Sequence, residues 1–220
     1  MNNYKSILIL HAVDNSTLFL GKFEEEFGNI YVPFDNDPKS ILRAKTLIGD
    51  LETKSLIIFL GHGSSLGLYE PDETHTYEKF FLGVALSNHY FDEHDIFLLS
   101  CKSNEFIQKI YKSSYSIGFG NIISSITELG FHNDKNEVKK TLNEDEIDMF
   151  NKLYVDCSIK VVKELVSNKI NFYDVPKYFR FFINQEINKI LLDKGYNNRI
   201  EFSRMLFEFR NEIFLKRNNI

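Results

Sequence analysis

The chain has no tryptophan, only two cysteines among its 220 residues, and no apolar run near the roughly 20 residues a membrane-crossing helix needs. Two cysteines, Cys101 and Cys157, cannot build a disulfide framework and fit a reducing compartment, where a thiol is either core filler or reagent. The opening "MNNYKSILILHAVDN" has an apolar stretch too short and too soon interrupted for a secretory signal, so a cytoplasmic protein without membrane association is expected. Lysine and arginine number 26 against 31 acidic residues, for a net charge of -5, and they gather into no basic face or arm, which argues against a nucleic-acid partner. Internal repeats, low-complexity tracts and glycine-serine linkers are missing too. The lack of tryptophan by itself excludes nothing.

What is present is material for a core. Hydrophobic residues make up 43% of the chain and phenylalanine alone supplies 21 residues, enough to exclude disorder and to favour one compact unit. Short apolar runs alternate with amphipathic stretches through the first half. "YKSILILHAV", "NIYVPF", "SLIIFL", "DIFLLS" and "YSIGFG" read as strands. Between them, helices are predicted over residues 16–28 with Ser16 as cap, over 38–51, near 77–88, and over "SNEFIQKIYKS". Five strands interleaved with helices predict an α/β fold with a mainly parallel, helix-covered sheet.

After "FHNDKNEVKKTLNEDE" no strand pattern returns. Ile147, Phe150, Tyr154, Cys157, Val161 and Leu165 form one helical stripe; Tyr178, Phe179, Phe182, Ile183 and Ile187 form another; Met205, Leu206 and Phe209 mark a third. The organisation expected is therefore an α/β core over 1–130, a polar loop or linker over 131–146, and a helical part over 147–220 packed on the sheet in the same unit.

In such a sheet, ligands bind beyond the carboxyl ends of the strands. "SLIIFLGHGSSLG" delivers Gly61, His62 and Gly63 there, and "DIFLLSCKS" delivers Cys101. If the two strands are neighbours, a cysteine and a histidine share one rim. An imidazole and a following helix, capped by Ser103, would both favour the thiolate. The amides of Gly63 and Cys101 would form an oxyanion hole. Taken singly, a strand-end histidine is a turn residue and a strand-end cysteine is core; their pairing carries the catalytic reading. Gly63-Ser64-Ser65-Leu66-Gly67 also matches G-x-S-x-G, but "LYEPDETHTY" supplies no helix where a nucleophile elbow needs one, which demotes a serine hydrolase using Ser65. Cys157, inside a helical stripe, reads as structural, and His11 as a core or rim residue. His75, His89, His94 and His132 show no compact ligand spacing with either cysteine, so neither metal nor cofactor is expected.

"IIFLGHGSS" followed by "DIFLLSCKSNEF" resembles the caspase-like cysteine peptidases, most closely the bacterial CHAT-domain proteases. The resemblance covers roughly residues 4–121 and rests on the two strand ends. It implies a caspase-hemoglobinase fold and a cysteine endopeptidase with a His62–Cys101 dyad, with Gly63 and Cys101 at the oxyanion positions. The Q-A-C-x-G of true caspases and the D-x-C of metacaspases are absent, so their substrate preferences do not transfer. In the family, loops after the first strand and after the strand following the cysteine help to form the substrate pocket. Those positions hold Asp14 and Asn15, and Gly118, Phe119, Gly120 and Asn121. Asp14 would favour a basic substrate residue there, or else serves "DNS" as a turn or capping residue. The partners implied are a protein or peptide substrate and a regulatory protein, with a cut or rearrangement in 131–146 as a second means of control. A second reading, from a different class, is a catalytically silent, protease-like interaction module whose aromatic "YFRFF" and "MLFEF" helices dock another protein.

Overall fold

The apolar runs become a sheet because each can be buried on both faces, which only inner parallel strands require. The computed structural model describes residues 4–74, 76–135 and 137–218; His75 lies outside them. Chain order runs β1 (Ile7–Ala12), α1 (Lys22–Phe27), β2 (Tyr31–Phe34), α2 (Pro38–Gly49), β3 (Leu56–Leu60), three short strands β4 (Gly63–Ser64), β5 (Gly67–Tyr69) and β6 (Phe80–Gly83), then α3 (Val84–Tyr90), β7 (Asp95–Leu99), α4 (Ser103–Phe106) and β8 (Tyr115–Gly118). There follow α5 (Ile126–Lys135), α6 (Glu144–Val166), α7 (Val175–Leu192), α8 (Arg199–Asn211) and β9 (Phe214–Arg217).

The main sheet has the order β2-β1-β3-β7-β8-β9, parallel throughout except for β9. The fold is thus α/β with a mostly parallel, mixed six-stranded sheet. Alternation along the central strands divides the core. Ile9, Leu56, Ile58, Leu60, Phe97 and Leu99 face α1 and the long helices α6, α7 and α8. Leu8, Leu10, Ile57, Phe59, Ile96 and Leu98 face α2, Phe91 and Phe106. Each fully buried aliphatic or aromatic side chain contributes about 1.5–3 kcal/mol, so the two layers hold the strand ends rigidly. Among the described residues no helix is long and apolar enough to cross a membrane.

Several local expectations differ from the structure. The stretch expected to be helical from residue 77 begins instead as β6, because Phe80–Gly83 pairs antiparallel with β5; the helix starts only at Val84. The helix after Cys101 is four residues long and passes into a single 3-10 turn at Ile107–Lys109. Tertiary partners capture its continuation: Asn88 Nδ2 donates to the Lys109 carbonyl, and the Tyr111 amide donates to Asn88 Oδ1. The polar loop expected over 131–146 is partly helical. α5 runs to Lys135, Asn133 brackets Lys140 by two side-chain bonds of 2.9 and 2.8 Å, and α6 already starts at Glu144. An Asn143–Glu146 capping box fixes that start and contributes about 1 kcal/mol. The second half is not free of strands either. β9 adds antiparallel to β8, with Leu215 opposite Ile117, at a length too short and a sequence too charged to show period-2 patterning.

Candidate active site

β3 lies between β1 and β7, and the register pairs Leu60 with both His11 and Leu99. His62 and Cys101 each follow two residues after that last pair, so both occupy the carboxyl rim of adjacent strands. The turn at Gly61 depends on glycine: its φ of +149° is strained for any L side chain, and an added Cβ would sit 2.9 Å from Ala12 Cβ. Gly63 permits a close approach. A Cβ there would meet Ser100 Oγ at 2.7 Å and the Cys101 carbonyl at 3.2 Å. The two halves of the expected site therefore touch through backbone.

The Cys101 amide donates to no acceptor among the described residues. Across the β4–β5 hairpin, the Tyr69 amide bonds the His62 carbonyl, which makes Gly63–Leu68 the next, non-hydrogen-bonded pair and leaves the Gly63 amide without a partner in that hairpin. Lys102, directly after Cys101, is held in the left-handed region at φ 52°, a local strain of the kind found where a side chain must be presented at a sharp turn. Its amide donates to the Gly120 carbonyl at 2.8 Å. Ser103, expected as a cap, is instead the first residue of α4. Its hydroxyl reaches the Leu98 and Ser100 carbonyls and accepts from the Phe119 amide, all at 2.8 Å.

The thiol is not poised as a thiolate. Cys101 Sγ donates to the Ile122 carbonyl at 3.0 Å, a contact that only the protonated form can make. Burial pushes this thiol up to about 12, and the carboxylate of Glu128 adds to the effect. This runs opposite to the expected activation, and the four-residue α4 offers little dipole to oppose it. Cys157 is buried in α6, where burial raises its thiol to about 12 as well, in keeping with a core position.

His62 is engaged elsewhere. Its Nε2 lies 2.6 Å from Ser16 Oγ, and its ring packs against Tyr77 with centroids 4.4 Å apart. Ser16 Oγ in turn donates to Asp14 Oδ1 at 2.6 Å. Asp14 Oδ1 is 3.7 Å from Nε2, so the link between carboxylate and imidazole runs through the serine. Burial works to raise the Asp14 pKa, but the imidazole, the Ser16 hydroxyl and the Asp72 amide outweigh it and hold the carboxyl at about 2. Among the described residues no hydrogen bond joins His62 to Cys101.

The four expected pocket residues separate. Asp14 is 1% exposed and turned inward on Ser16 and Asp72 rather than lining an opening. Asn15 is exposed on the rim, its amide donating to Glu73 at 3.3 Å. Phe119 is wholly buried against Phe97, Phe179 and Phe209 and is a core residue, because the chain leaving β8 dives under α7 and α8. Asn121 does line a cavity of about 470 Å³, together with Lys102, Ile122, Glu128 and Glu212; its lining takes in the chain neighbour of Cys101 but neither Cys101 nor His62. Ser65 sits at the tip of the β4–β5 hairpin, where the chain reverses into a strand instead of entering a helix, so an elbow geometry is absent. His11 is buried, with Nε2 3.1 Å from the Thr17 carbonyl.

Ser16 is the residue that sequence reasoning missed, having assigned it to a helix cap. The signal available was its position just past the carboxyl end of β1, the same rim that carries His62. Among the described residues no three histidine, cysteine or acidic side chains converge as a metal site. Compared with protein-family models, with characterised proteins and with solved structures, the chain gives no match.

Proposed function

We propose that the protein is a cysteine endopeptidase of the caspase-like class, cleaving a protein or peptide substrate with Cys101 as nucleophile and His62 as base. One observation carries this reading: β3 and β7 are adjacent and parallel, which puts His62 and Cys101 at the same rim in matched register. The free Cys101 amide, the Gly63 amide beside it and the cavity bounded by Lys102 and Ile122 support it.

In the reaction, His62 takes the thiol proton, the thiolate attacks the substrate carbonyl, and the two amides stabilise the oxyanion. His62 then returns the proton to the leaving amine. The protonated thiol on the Ile122 carbonyl is a resting arrangement, and the nucleophile must leave it before reacting. That requirement is the point at which substrate, a regulatory partner or a proteolytic cut acts. A peptidyl acyloxymethyl ketone tests the assignment: Cys101→Ala abolishes labelling and Cys157→Ala leaves it intact, whereas equal labelling of both variants refutes it. The raised thiol pKa and the missing contact with His62 favour a second reading, a silent protease-like module, for which no variant, nor the unaltered chain, is labelled.

A further inference from the structure

We infer that Ser16 fixes the proton of His62 on Nε2 and so keeps Nδ1 as the basic nitrogen, with Asp14 as the group that orients the serine. The inference deepens the cysteine-peptidase reading and rests on it for its catalytic consequence, though the tautomer itself does not.

Counting protons around Ser16 leads to it. A carboxylate can only accept hydrogen bonds, and a serine hydroxyl has one hydrogen to give. Asp14, buried and ionised, receives that hydrogen from Ser16 Oγ at 2.6 Å and also accepts the Ser16 amide at 3.0 Å. With its hydrogen committed to Asp14, Ser16 Oγ has only lone pairs left, one for the Tyr77 hydroxyl at 3.3 Å as donor and one for Nε2, which it faces across 2.6 Å as an acceptor. Nε2 must therefore carry a hydrogen, and in the neutral ring Nδ1 is left with its lone pair. Two features hold the geometry. The Thr17 hydroxyl donates to the Ala12 carbonyl at 2.9 Å and accepts the Asp14 amide at 3.0 Å, clamping the turn after β1. The Tyr77 ring, tilted by 38° against the imidazole, restrains a ring flip that would exchange the two nitrogens.

When His62 accepts the thiol proton, the new N–H forms on Nδ1 and the S–H bond breaks. The Nε2–H stays in place, and the imidazolium charge lies 3.7 Å from Asp14 Oδ1. Ser16 and Asp14 are thus positioning residues: they act through His62, and among the described residues neither bonds the Cys101 thiol.

The test reads the tautomer directly, by nitrogen-15 NMR of the His62 ring in the Cys101→Ala chain at neutral pH, where no chemistry can intervene. The Nε2–H form is expected to dominate, to give way to a mixture in Ser16→Ala, and to return in Ser16→Thr, which restores the hydroxyl. In chains that keep Cys101, Ser16→Ala is expected to slow peptidyl acyloxymethyl ketone labelling by about 10–100-fold, less than the roughly 10²–10⁴-fold a general base contributes because His62 stays in place and loses only its orientation, with recovery in Ser16→Thr. A dominant Nδ1–H form in the Cys101→Ala parent, or an unchanged tautomer in Ser16→Ala, overturns the inference. The expected tautomers in a chain that is never labelled sustain the Ser16 assignment and sink the peptidase reading. Cys101-dependent labelling at the same rate in Ser16→Ala sustains the peptidase reading and overturns the catalytic consequence of the Ser16 contact.

Discussion

Gly63→Ala is the sharpest perturbation of the contact between the two halves of the site. Its new methyl would lie 2.7 Å from Ser100 Oγ, 3.1 Å from Ser100 Cβ and 3.2 Å from the Cys101 carbonyl. The hydroxyl can rotate away at little cost, since it is buried without a hydrogen-bond partner and loses none by moving. Ser100 Cβ and the Cys101 carbonyl are fixed to the end of β7, and they must yield by a few tenths of an ångström or force β4 outward. Overpacking of this kind costs about 1–3 kcal/mol, and the softness of one of the three contacts puts the expected loss in the lower half of that range. Urea denaturation measures it as a fall in midpoint at constant slope. Ser100→Gly removes two of the three obstructing atoms, so a double-mutant cycle should return a favourable coupling of about 1 kcal/mol between positions 63 and 100. Peptidyl labelling of Cys101 should slow in Gly63→Ala and recover in part with Ser100→Gly. Additivity within about 0.3 kcal/mol would refute the reasoning, because it would mean that the two strand ends do not press on each other.

Phe119→Ala should cost about 3–5 kcal/mol in urea denaturation, as for any large ring removed from a closed core; a loss near zero would restore Phe119 to an open pocket. Gly130→Ala, in the interior of α5 with nothing within 4 Å of the added methyl, should stabilise the chain by about 0.5–1 kcal/mol, and destabilisation would argue against helix at that position. Burial lowers the His11 pKa from 6.5 to about 4, so the unfolded chain binds this proton before the folded one does. Stability from neutral His11 is complete above about pH 6.5 and is lost as pH falls toward 4, about 3 kcal/mol in all; His11→Gln should flatten that part of the urea-midpoint profile, and an unchanged acid slope would refute the assignment.

The strands of the main sheet that carry the site were legible because each is apolar on both faces. Leu56–Leu60 and Asp95–Leu99 allow few environments other than the middle of a covered sheet, and once they are placed their carboxyl ends select His62 and Cys101. Pairings made by short or charged segments could not be read. β4 through β6 and β9 exist because a partner strand is nearby, and Phe214–Arg217 carries no pattern that announces one. The same holds for side chains. Nothing local to "DNS" tells whether Ser16 caps a helix or reaches a histidine on another strand. The state of the Cys101 thiol depends on the Ile122 carbonyl and on the depth of the surroundings, both set by tertiary packing.

β9 has a bearing on biosynthesis. Among the described residues it is the last strand in chain order, yet it closes the edge of β8, and the chain leaving β8 supplies the Gly120 and Ile122 carbonyls that hold Lys102 and the cysteine. Translation therefore delivers His62 and Cys101 long before the segment that pairs with β8. Until residues 214–217 leave the ribosome, β8 offers an unpaired edge to any neighbouring chain, and the wall beside Cys101 lacks its outer strand. Among the described residues, the strand that closes the sheet beside Cys101 is thus also the last to be synthesised.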